Sequence, residues 1–313
     1  MTIIISTPGS RYDVCRMRFV RRALAGVLAA ALTAGAVRSA DLLNGFRPSA
    51  VRSDYGAASE VEFSTGFVEL EPGALAHHVP HAMKDFRFDE KVWVIGYRSE
   101  VLVKARGKPG ENYLCHTFFA DQRVAQREDD ELLGIYSDAF TPEVRLPGGF
   151  GIPLSPNERL HWMPMFNNRT GESAGVAMRV VVTLIRDRDL KKPLKALYAS
   201  LRSVQVPHLF FVSPGKDERH VTFVLPFNGK IHFLGTHIHP YGESIELFNV
   251  SRNEPVWKGS REKQPDGPMQ VYSSRDGYAV RAGETFRITS VYQNPNDEKI
   301  DAMAGLFMLY SRE

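Results

Sequence analysis

The chain consists of many short apolar segments, separated by turns that are rich in glycine and proline. β-Branched and aromatic residues predominate in these segments, and we predict strands because such side chains suit the pleated surface of a sheet. Many short strands with turns between them are typical of antiparallel sandwiches. We therefore predict an all-β protein with two antiparallel β-sandwich, jelly-roll-like domains in tandem.

Twelve segments carry this strand pattern. Those of the first half are Val61–Leu70, Lys91–Ala105, Tyr113–Ala120, Arg159–Phe166 and Val176–Ile185. Those of the second half are His208–Val212, His220–Pro226, Ile231–His237, Ser244–Val250, Met269–Tyr272, Glu284–Tyr292 and Ala302–Tyr310.

The length of 313 residues is enough for two domains of ordinary size. Helical spacing of leucines occurs in one stretch, Asp189–Leu201, so we predict a linker with a short helix over residues 189–205. The linker separates an N-terminal sandwich of residues 60–188 from a C-terminal sandwich of residues 206–313. Residues 37–59 show no strong periodicity and are predicted to form an extended arm.

The first 36 residues have the pattern of a secretory signal peptide. Arginines precede an apolar run of about 14 residues, and Ala34-Gly35-Ala36 fits a signal-peptidase site. Such a run is too short to span a bilayer, which takes about 20 apolar residues. We therefore expect a periplasmic or secreted protein, with no membrane span in its mature form.

Removal of the signal segment would change both the charge and the cysteine count. The segment contains five arginines and one aspartate, so 34 basic and 35 acidic residues would remain. This balance gives no electrostatic case for a nucleic-acid partner. Cys15 would be lost as well, which leaves Cys115 as the single mature thiol and excludes an internal disulfide.

Three of the ten histidines lie within the twelve residues 231–242. On a strand, His237 and His239 point to the same face with Cα atoms roughly 6.5–7 Å apart, so their rings can converge on one metal ion. Imidazole suits copper, zinc, iron and nickel, and the pair therefore indicates a metal without choosing it. The alternative is two partly buried histidines bonded to neighbouring backbone. His232 is predicted to face the other side and to be structural.

The segment His237-Ile238-His239-Pro240-Tyr241-Gly242 fits the pattern H-x-H-x-x-G. It resembles the signature of the copper type II, ascorbate-dependent monooxygenases, which include the peptidylglycine and dopamine monooxygenases. An apolar strand ending at Leu225-Pro226 precedes it, and Met303 comes just before the closing strand, as in that family. The resemblance covers residues 205–313 well and residues 60–185 more loosely.

This resemblance implies a copper ion on His237, His239 and Met303, where the family activates oxygen. Thioether sulfur favours Cu(I), and imidazole accepts both redox states. The implied reaction is hydroxylation of a C–H bond in a small-molecule or peptide substrate, with electrons from an external reductant such as ascorbate. Tyr241 and Tyr292 are candidates for shaping the substrate site.

The first half departs from the family pattern. The family's first domain holds a second copper on an adjacent pair of histidines and on one more from a later strand. Here the pair reads Cys115-His116, and Met165 stands where the later histidine would fall. A second metal site would have to be rebuilt from His116, Met165 and perhaps Cys115 or His161, so one copper is expected and two remain open. The alternative is that these four are ordinary core residues.

Three further histidines, His77, His78 and His81, lie in a predicted loop. They precede the strand that should come before the family's histidine pair. A solvated or structurally bonded cluster is therefore favoured there.

Other protein classes fit the motif less well. Glu243 extends the histidine pair toward a cupin motif, but Val250 stands where the next glycine should be and no second motif follows. Hydrolytic zinc chemistry would need a further ligand and a general base. The strongest alternative is an exported copper-binding or copper-delivery protein without turnover. The sequence thus predicts a copper protein, with monooxygenase activity as the first hypothesis and non-catalytic copper binding as the second.

Overall fold

The computed structural model describes residues 3–6, 50–51, 53–74, 84–104, 113–121, 131–132, 135–138, 142–156, 158, 160–206, 208–261 and 269–313. These residues form twenty-four β-strands and no α-helix, so the predicted all-β class is confirmed. Within the same ranges, no helix is long and apolar enough to cross a membrane.

All but one of the described strands of the N-terminal half form two facing sheets. They are β1 (Ile3–Ser6), β2 (Ala50–Val51), β3 (Gly56–Ser64), β4 (Val68–Leu70), β5 (Lys84–Phe88), β6 (Val92–Val103), β7 (Leu114–Asp121), β8 (Glu131–Leu132), β9 (Ile135–Asp138), β10 (Glu143–Arg145), β11 (Phe150–Leu154), β12 (Leu160–Phe166), β13 (Ala174–Leu190) and β14 (Lys195–Ala196). One sheet has the order β1-β5-β12-β7-β9 and the other β14-β11-β6-β13-β3-β2, with β4 and β10 added beside β13 and β6. β8 belongs to a sheet of the C-terminal half.

The C-terminal half repeats this arrangement. Its strands are β15 (Tyr198–Ser203), β16 (Phe210–Val212), β17 (Gly215–Val224), β18 (Gly229–Ile238), β19 (Gly242–Asn249), β20 (Glu254–Ser260), β21 (Tyr272–Val280), β22 (Thr285–Asn294), β23 (Ile300–Ala302) and β24 (Ala304–Arg312). One sheet has the order β21-β18-β24-β15-β8 and the other β17-β22-β19-β20, while β16 pairs with β23.

Both halves have jelly-roll connectivity. If the eight main strands of each roll are numbered in chain order, one sheet contains strands 1-8-3-6 and the other strands 2-7-4-5. In the first roll these are β3-β13-β6-β11 and β5-β12-β7-β9, and in the second they are β15-β24-β18-β21 and β17-β22-β19-β20. Two sheets linked in this way are a jelly roll. The predicted tandem of antiparallel sandwiches is therefore confirmed.

One sheet serves the cores of both rolls. Phe233 on β18 and Phe307 on β24 belong to the N-terminal core, where Phe307 stacks on Tyr136 with ring centroids 5.1 Å apart. Their neighbours Leu234 and Met308 belong to the C-terminal core. Successive side chains of a strand face opposite sides, so the sheet formed around β18 and β24 separates the two cores.

The predicted short helix within residues 189–205 is wrong. β13 continues to Leu190, β14 pairs with β11, and β15 pairs along its whole length with β24. Leu194 and Leu197 are buried, at 8% and 1% exposure. Ladder hydrogen bonds to neighbouring strands, together with burial of these leucines, override a spacing that local propensity would assign to a helix.

The two termini differ in how far the structure describes them. Residues 7–49 lie outside the described ranges, so the signal peptide and most of the extended arm stay predictions. Ile3–Ser6, within the predicted signal segment, pairs with β5, and Ala50–Val51 pairs with β3. His77, His78 and His81 also lie outside the described residues.

Candidate metal centre

The end of β18 and the residue that follows it place two histidines, His237 and His239, between the rolls. His237 and His239 alternate along the strand with Ile238, which belongs to the C-terminal core, and they share the side of Phe233, which belongs to the N-terminal core. Their rings are buried, with centroids 5.3 Å apart. The strand period therefore turns both imidazoles toward the N-terminal roll.

A β-bulge on β7 brings a cysteine and a histidine to the same place. Met165 on β12 pairs with His116, whereas the next residue, Phe166, pairs with Leu114, so Cys115 is the extra residue. In a regular strand, adjacent side chains would point to opposite faces. A bulge re-aims side chains, and here the Cys115 Sγ lies 3.2 Å from the His116 Nδ1.

Cys115, His237 and His239 form a group that can hold a metal ion. Their ligand atoms all lie within 4.8 Å of one another, and the Cys115 Sγ is 3.9 Å from the His239 Nε2. A tetrahedral site with ordinary metal–ligand bonds holds sulfur and nitrogen about 3.6 Å apart. The three residues are 4%, 7% and 6% exposed. A small adjustment of side chains would bring the three donors to coordination distance.

The ring nitrogens of His237 also indicate a metal site. Within the described part of the chain, neither of its buried ring nitrogens has a hydrogen-bond partner. Its Nδ1 lies 3.4 Å from the Asp138 Oδ2, which is an ion-pair distance without hydrogen-bond geometry. Leaving a buried polar atom without a partner costs about 1–3 kcal/mol. A metal ion beside Cys115 and His239 would satisfy this ring.

A carboxylate lies beside the outer nitrogen of each histidine, Asp301 next to His239 and Asp138 next to His237. The Asp301 Oδ2 lies 2.7 Å from the His239 Nδ1, which leaves the Nε2 facing Cys115. Arg169 of the N-terminal roll donates to the same carboxylate oxygen at 3.3 Å. Asp138, behind His237, accepts a hydrogen bond from the Tyr136 hydroxyl at 3.0 Å. Carboxylates that bond the outer nitrogen of a histidine fix its tautomer and orientation in metal sites.

The charges of the cluster favour the ligating form of the cysteine. Burial raises the pKa of the Cys115 thiol, but the charge of His116, the hydrogen bonds to His116 and His239 and the nearby His237 ring outweigh burial and leave the pKa well below its usual value. The thiolate is the form that binds metals. Cys115 is therefore already suited to coordination.

The pKa values of His237 and His239 shift in the opposite direction from the pKa of His116. Burial lowers the pKa of His237, but Asp138 and Cys115 more than compensate and raise it to about 9. The pKa of His239 is likewise raised, because Asp301 and Cys115 outweigh burial. Burial lowers the pKa of His116. A metal ion that binds His237 must therefore displace a proton at neutral pH.

Two methionines lie across the ladder from cluster residues. The His239 N–H donates to the Met303 carbonyl at 3.2 Å, next to the pair Ile238–Ala304, so Met303 lies opposite His239. Met165 pairs with His116. Directly opposite side chains share a face of a sheet. Both methionines are half-buried, and each is the ladder neighbour of a histidine in the cluster.

The residues proposed for two metal sites therefore do not form two separate groups. Cys115 and His116 lie with His237 and His239 in one cluster, and the His116 and His237 ring centroids are 4.6 Å apart. His161 is four residues from Met165 along β12, about 13 Å away on an extended strand. It pairs with Ala120 and lies away from Cys115.

The two tyrosines predicted to shape a substrate site, Tyr241 and Tyr292, form hydrogen bonds with backbone groups. Tyr292 is 0% exposed; its hydroxyl donates to the Met303 carbonyl at 2.5 Å and accepts from the His239 N–H at 3.1 Å. Tyr241 has a φ of 66°, uncommon for a residue other than glycine, and its carbonyl accepts from the Gln293 N–H. Tyr292 thus holds the chain beside His239. A role of either residue in shaping a substrate site stays a prediction.

Sequence reasoning did not identify the two supporting carboxylates. Asp138 lies on β9, which was not among the predicted strands. Asp301 comes two residues before Met303, and an acidic residue so close to an expected ligand is a signal that could have indicated it. The geometry that joins either to a histidine depends on contacts between distant strands.

Comparison with known proteins identifies no family for this chain. No family model matches the chain, and no curated protein matches it. Among solved structures, the major capsid protein P2 from bacteriophage PM2 is 8% identical, with 81% of this chain and 98% of that chain covered and a TM-score of 0.38. PNGase F from Flavobacterium meningosepticum is 10% identical, with coverages of 81% and 96% and a TM-score of 0.42. The STIV MCP is 10% identical, with coverages of 84% and 94% and a TM-score of 0.30. At these values the likenesses support no functional argument.

Proposed function

We propose that this protein binds one copper ion between its two jelly rolls and does so without turnover. The observation that carries the proposal is the convergence of Cys115, His237 and His239 in a buried cluster whose ligand atoms lie within 4.8 Å of one another. Met303, opposite His239, is the proposed weak fourth ligand. A cysteine and two histidines with a distant methionine are the ligand set of electron-transfer copper sites.

The ligand types support copper over most other ions. Thiolate and thioether sulfur select Cu(I), zinc or iron–sulfur clusters, and imidazole suits copper and zinc. Bound copper would supply reversible one-electron redox chemistry. The protein's own residues would keep Cys115 deprotonated, orient His239 through Asp301, and exclude water by burial. Zinc is the competing ion, since mixed cysteine and histidine sites also hold it.

Monooxygenase activity is the second candidate, favoured by the position of Met303 opposite His239. It would use the same histidines, as the resemblance implies. Two arguments favour non-catalytic copper binding over it. A thiolate next to an oxygen-activating centre is open to oxidation, and all three ligand residues are buried, which leaves little access for a substrate.

Metal loading of the full-length protein tests the proposal. We would load the protein with Cu(I), Cu(II) or Zn(II) under anaerobic conditions and measure metal per chain, alone and in competition. The variants are Cys115→Ser, His237→Ala and His239→Ala. His220→Ala, which removes an exposed histidine on β17, is the matched control.

We expect one copper per chain, retained in His220→Ala and largely lost in the three cluster variants. Unchanged copper in the variants would disprove the ligand assignment, and a preference for zinc in the competition would disprove copper. Oxygen consumption with ascorbate separates the two candidate functions. Sustained uptake that disappears in His237→Ala would establish turnover and reject the non-catalytic proposal.

A further inference from the structure

A cleft lies at another part of the boundary between the two rolls. Its volume is about 610 Å³, within the range of about 300–1,000 Å³ that is usual for small-molecule sites. Phe150 and Lys195 of the N-terminal roll line one side, and Lys230 and Arg275 of the C-terminal roll line another. Boundaries between domains are preferred places for such sites.

Positive charge predominates in this cleft. The charged side chains that line it are four cations and two carboxylates: Lys195, Lys230, Arg275, Arg312, Asp276 and Glu313. Within the described residues, Lys195, Lys230 and Arg275 form no ion pair. Arg312 stacks over the exposed ring of Tyr198, 4.7 Å from its centroid. Cations in a concave site with low-dielectric walls reinforce one another's field and raise the local concentration of anions.

An irregularity in the sheet builds one wall of the cleft. Four residues of β21, Ser274–Gly277, lie opposite the single residue His232 of β18, where the register shifts. This segment brings Arg275 and Asp276 to the cleft. Bulges are often found next to functional sites, where they re-aim side chains. A regular ladder would keep these residues in the pairing of β18 with β21.

His232 is a fixed part of that wall. Its ring nitrogens bond the Ser274 carbonyl at 3.0 Å and the Ser311 hydroxyl at 2.9 Å, and its ring lies 4.3 Å from that of Phe150. Burial lowers its pKa, and the positive charges of Lys230 and Lys195 also contribute. Both nitrogens are thus used within the protein, in keeping with the structural role predicted for His232.

We propose that this cleft binds a small organic anion with two or more carboxylate or phosphate groups. Lys195 comes from one roll and Lys230 and Arg275 from the other, so one ligand with separated anionic groups can contact both rolls. The cleft is distinct from the metal centre. Lys230 and His237 are seven positions apart on β18, roughly 23 Å along an extended strand.

Calorimetric titration of the full-length protein at low ionic strength tests this proposal. The probes are tricarballylate, inorganic pyrophosphate and, as a monoanion, acetate. The test variant is Lys195→Gln with Lys230→Gln. The control variant, Lys216→Gln with Lys258→Gln, removes the same charge from side chains outside the cleft. Circular dichroism checks that both variants are folded.

We expect at least one of the two polyanions to bind once per chain and acetate to bind much more weakly. Loss of two surface charge contacts should weaken binding about tenfold in the test variant and not in the control. Failure of both polyanions to bind, or equal weakening in both variants, would reject the cleft. Binding that vanishes in His237→Ala would show metal chelation instead and would also reject it, while leaving the copper proposal intact.

Discussion

Cys115 lies at the centre of the candidate metal site. His116, His237 and His239 surround it and lower its pKa against the effect of burial. A buried anion without a partner would be very unfavourable, so the imidazoles of His116 and His239 stabilise the Cys115 thiolate through hydrogen bonds when no metal is bound. When a metal binds, the same rings lose protons and become ligands or neighbours of the ligand.

Metal affinity should therefore rise with pH. His237 has a pKa of about 9, so at lower pH its ring carries a proton that the metal must displace, and above that pH the increase should level off. Competition titrations against a chelator, from about pH 6 to about pH 10, measure this dependence. An affinity that stays constant below pH 9, after correction for the chelator, would contradict coordination by His237.

Asp301 should matter for metal affinity without binding the metal. Its carboxylate holds the outer nitrogen of His239, and loss of such a partner typically weakens metal binding about 10–100-fold. We expect this loss for Asp301→Asn in the competition titration. Asp297→Asn, at an exposed position of the preceding turn, is the control and should bind like the wild type.

Met303 should distinguish the redox states of copper. Thioether sulfur favours Cu(I), whereas imidazole binds both states. Met303→Ile keeps an apolar side chain of similar size and should weaken Cu(I) binding much more than Cu(II) binding. Separate titrations with the two ions measure the difference, and an equal Cu(I) affinity would mean that Met303 is not a ligand.

At the scale of strands, the local sequence pattern predicted many strand positions but did not predict the β-bulges and register shifts. β-Branched and aromatic residues, bounded by glycine and proline, predicted a strand over Ile231–His237, and β18 is found at Gly229–Ile238. The bulge at Cys115 has no local signature, because it arises from the register between β7 and β12. The leucine spacing in Asp189–Leu201 is compatible with both a helix and strands. The segment forms strands because it pairs with β11 and β24.

Gly277 should be required by the irregular segment of β21. It has a φ of 66°, and a Cβ there would lie 2.9 Å from the His232 ring and from the Ile231 carbonyl oxygen. Gly277→Ala should lower the free energy of unfolding by about 1–3 kcal/mol, through backbone strain together with this contact. Gly66→Ala has a comparable φ of 77° with open space around the Cβ, and chemical denaturation should show a smaller loss for it.

At the scale of the whole molecule, the candidate metal site belongs to neither roll alone. Cys115 comes from the first roll and His237 and His239 from the second, and Arg169 of the first roll bonds Asp301 of the second. The sequence predicted the histidine pair from spacing on one strand. It could not predict that Cys115 lies beside them, because the contact between the two rolls produces no periodic pattern in the sequence.

Copper should consequently stabilise the two rolls as one unit. A ligand that binds only the folded state adds about 2.7 kcal/mol at a free concentration one hundred times its dissociation constant. We expect copper to raise the melting temperature of the full-length protein in a single transition, measured by calorimetry. The increase should persist in His220→Ala and disappear in His237→Ala. Two transitions, of which copper shifts one, would show that the metal contacts a single roll.

The sheet around β18 and β24 has apolar side chains from both of its faces in hydrophobic cores. A slip of β18 by one residue would exchange its faces. Phe233, His237 and His239 would then enter the C-terminal core, while Leu234 and Ile238 would face Cys115. Such an error would disrupt two cores and the cluster of Cys115, His237 and His239 at once, whereas in an ordinary sandwich it would disrupt one core. The arrangement that joins the rolls therefore also penalises a misaligned β18 more heavily, which favours the correct register of this strand during folding.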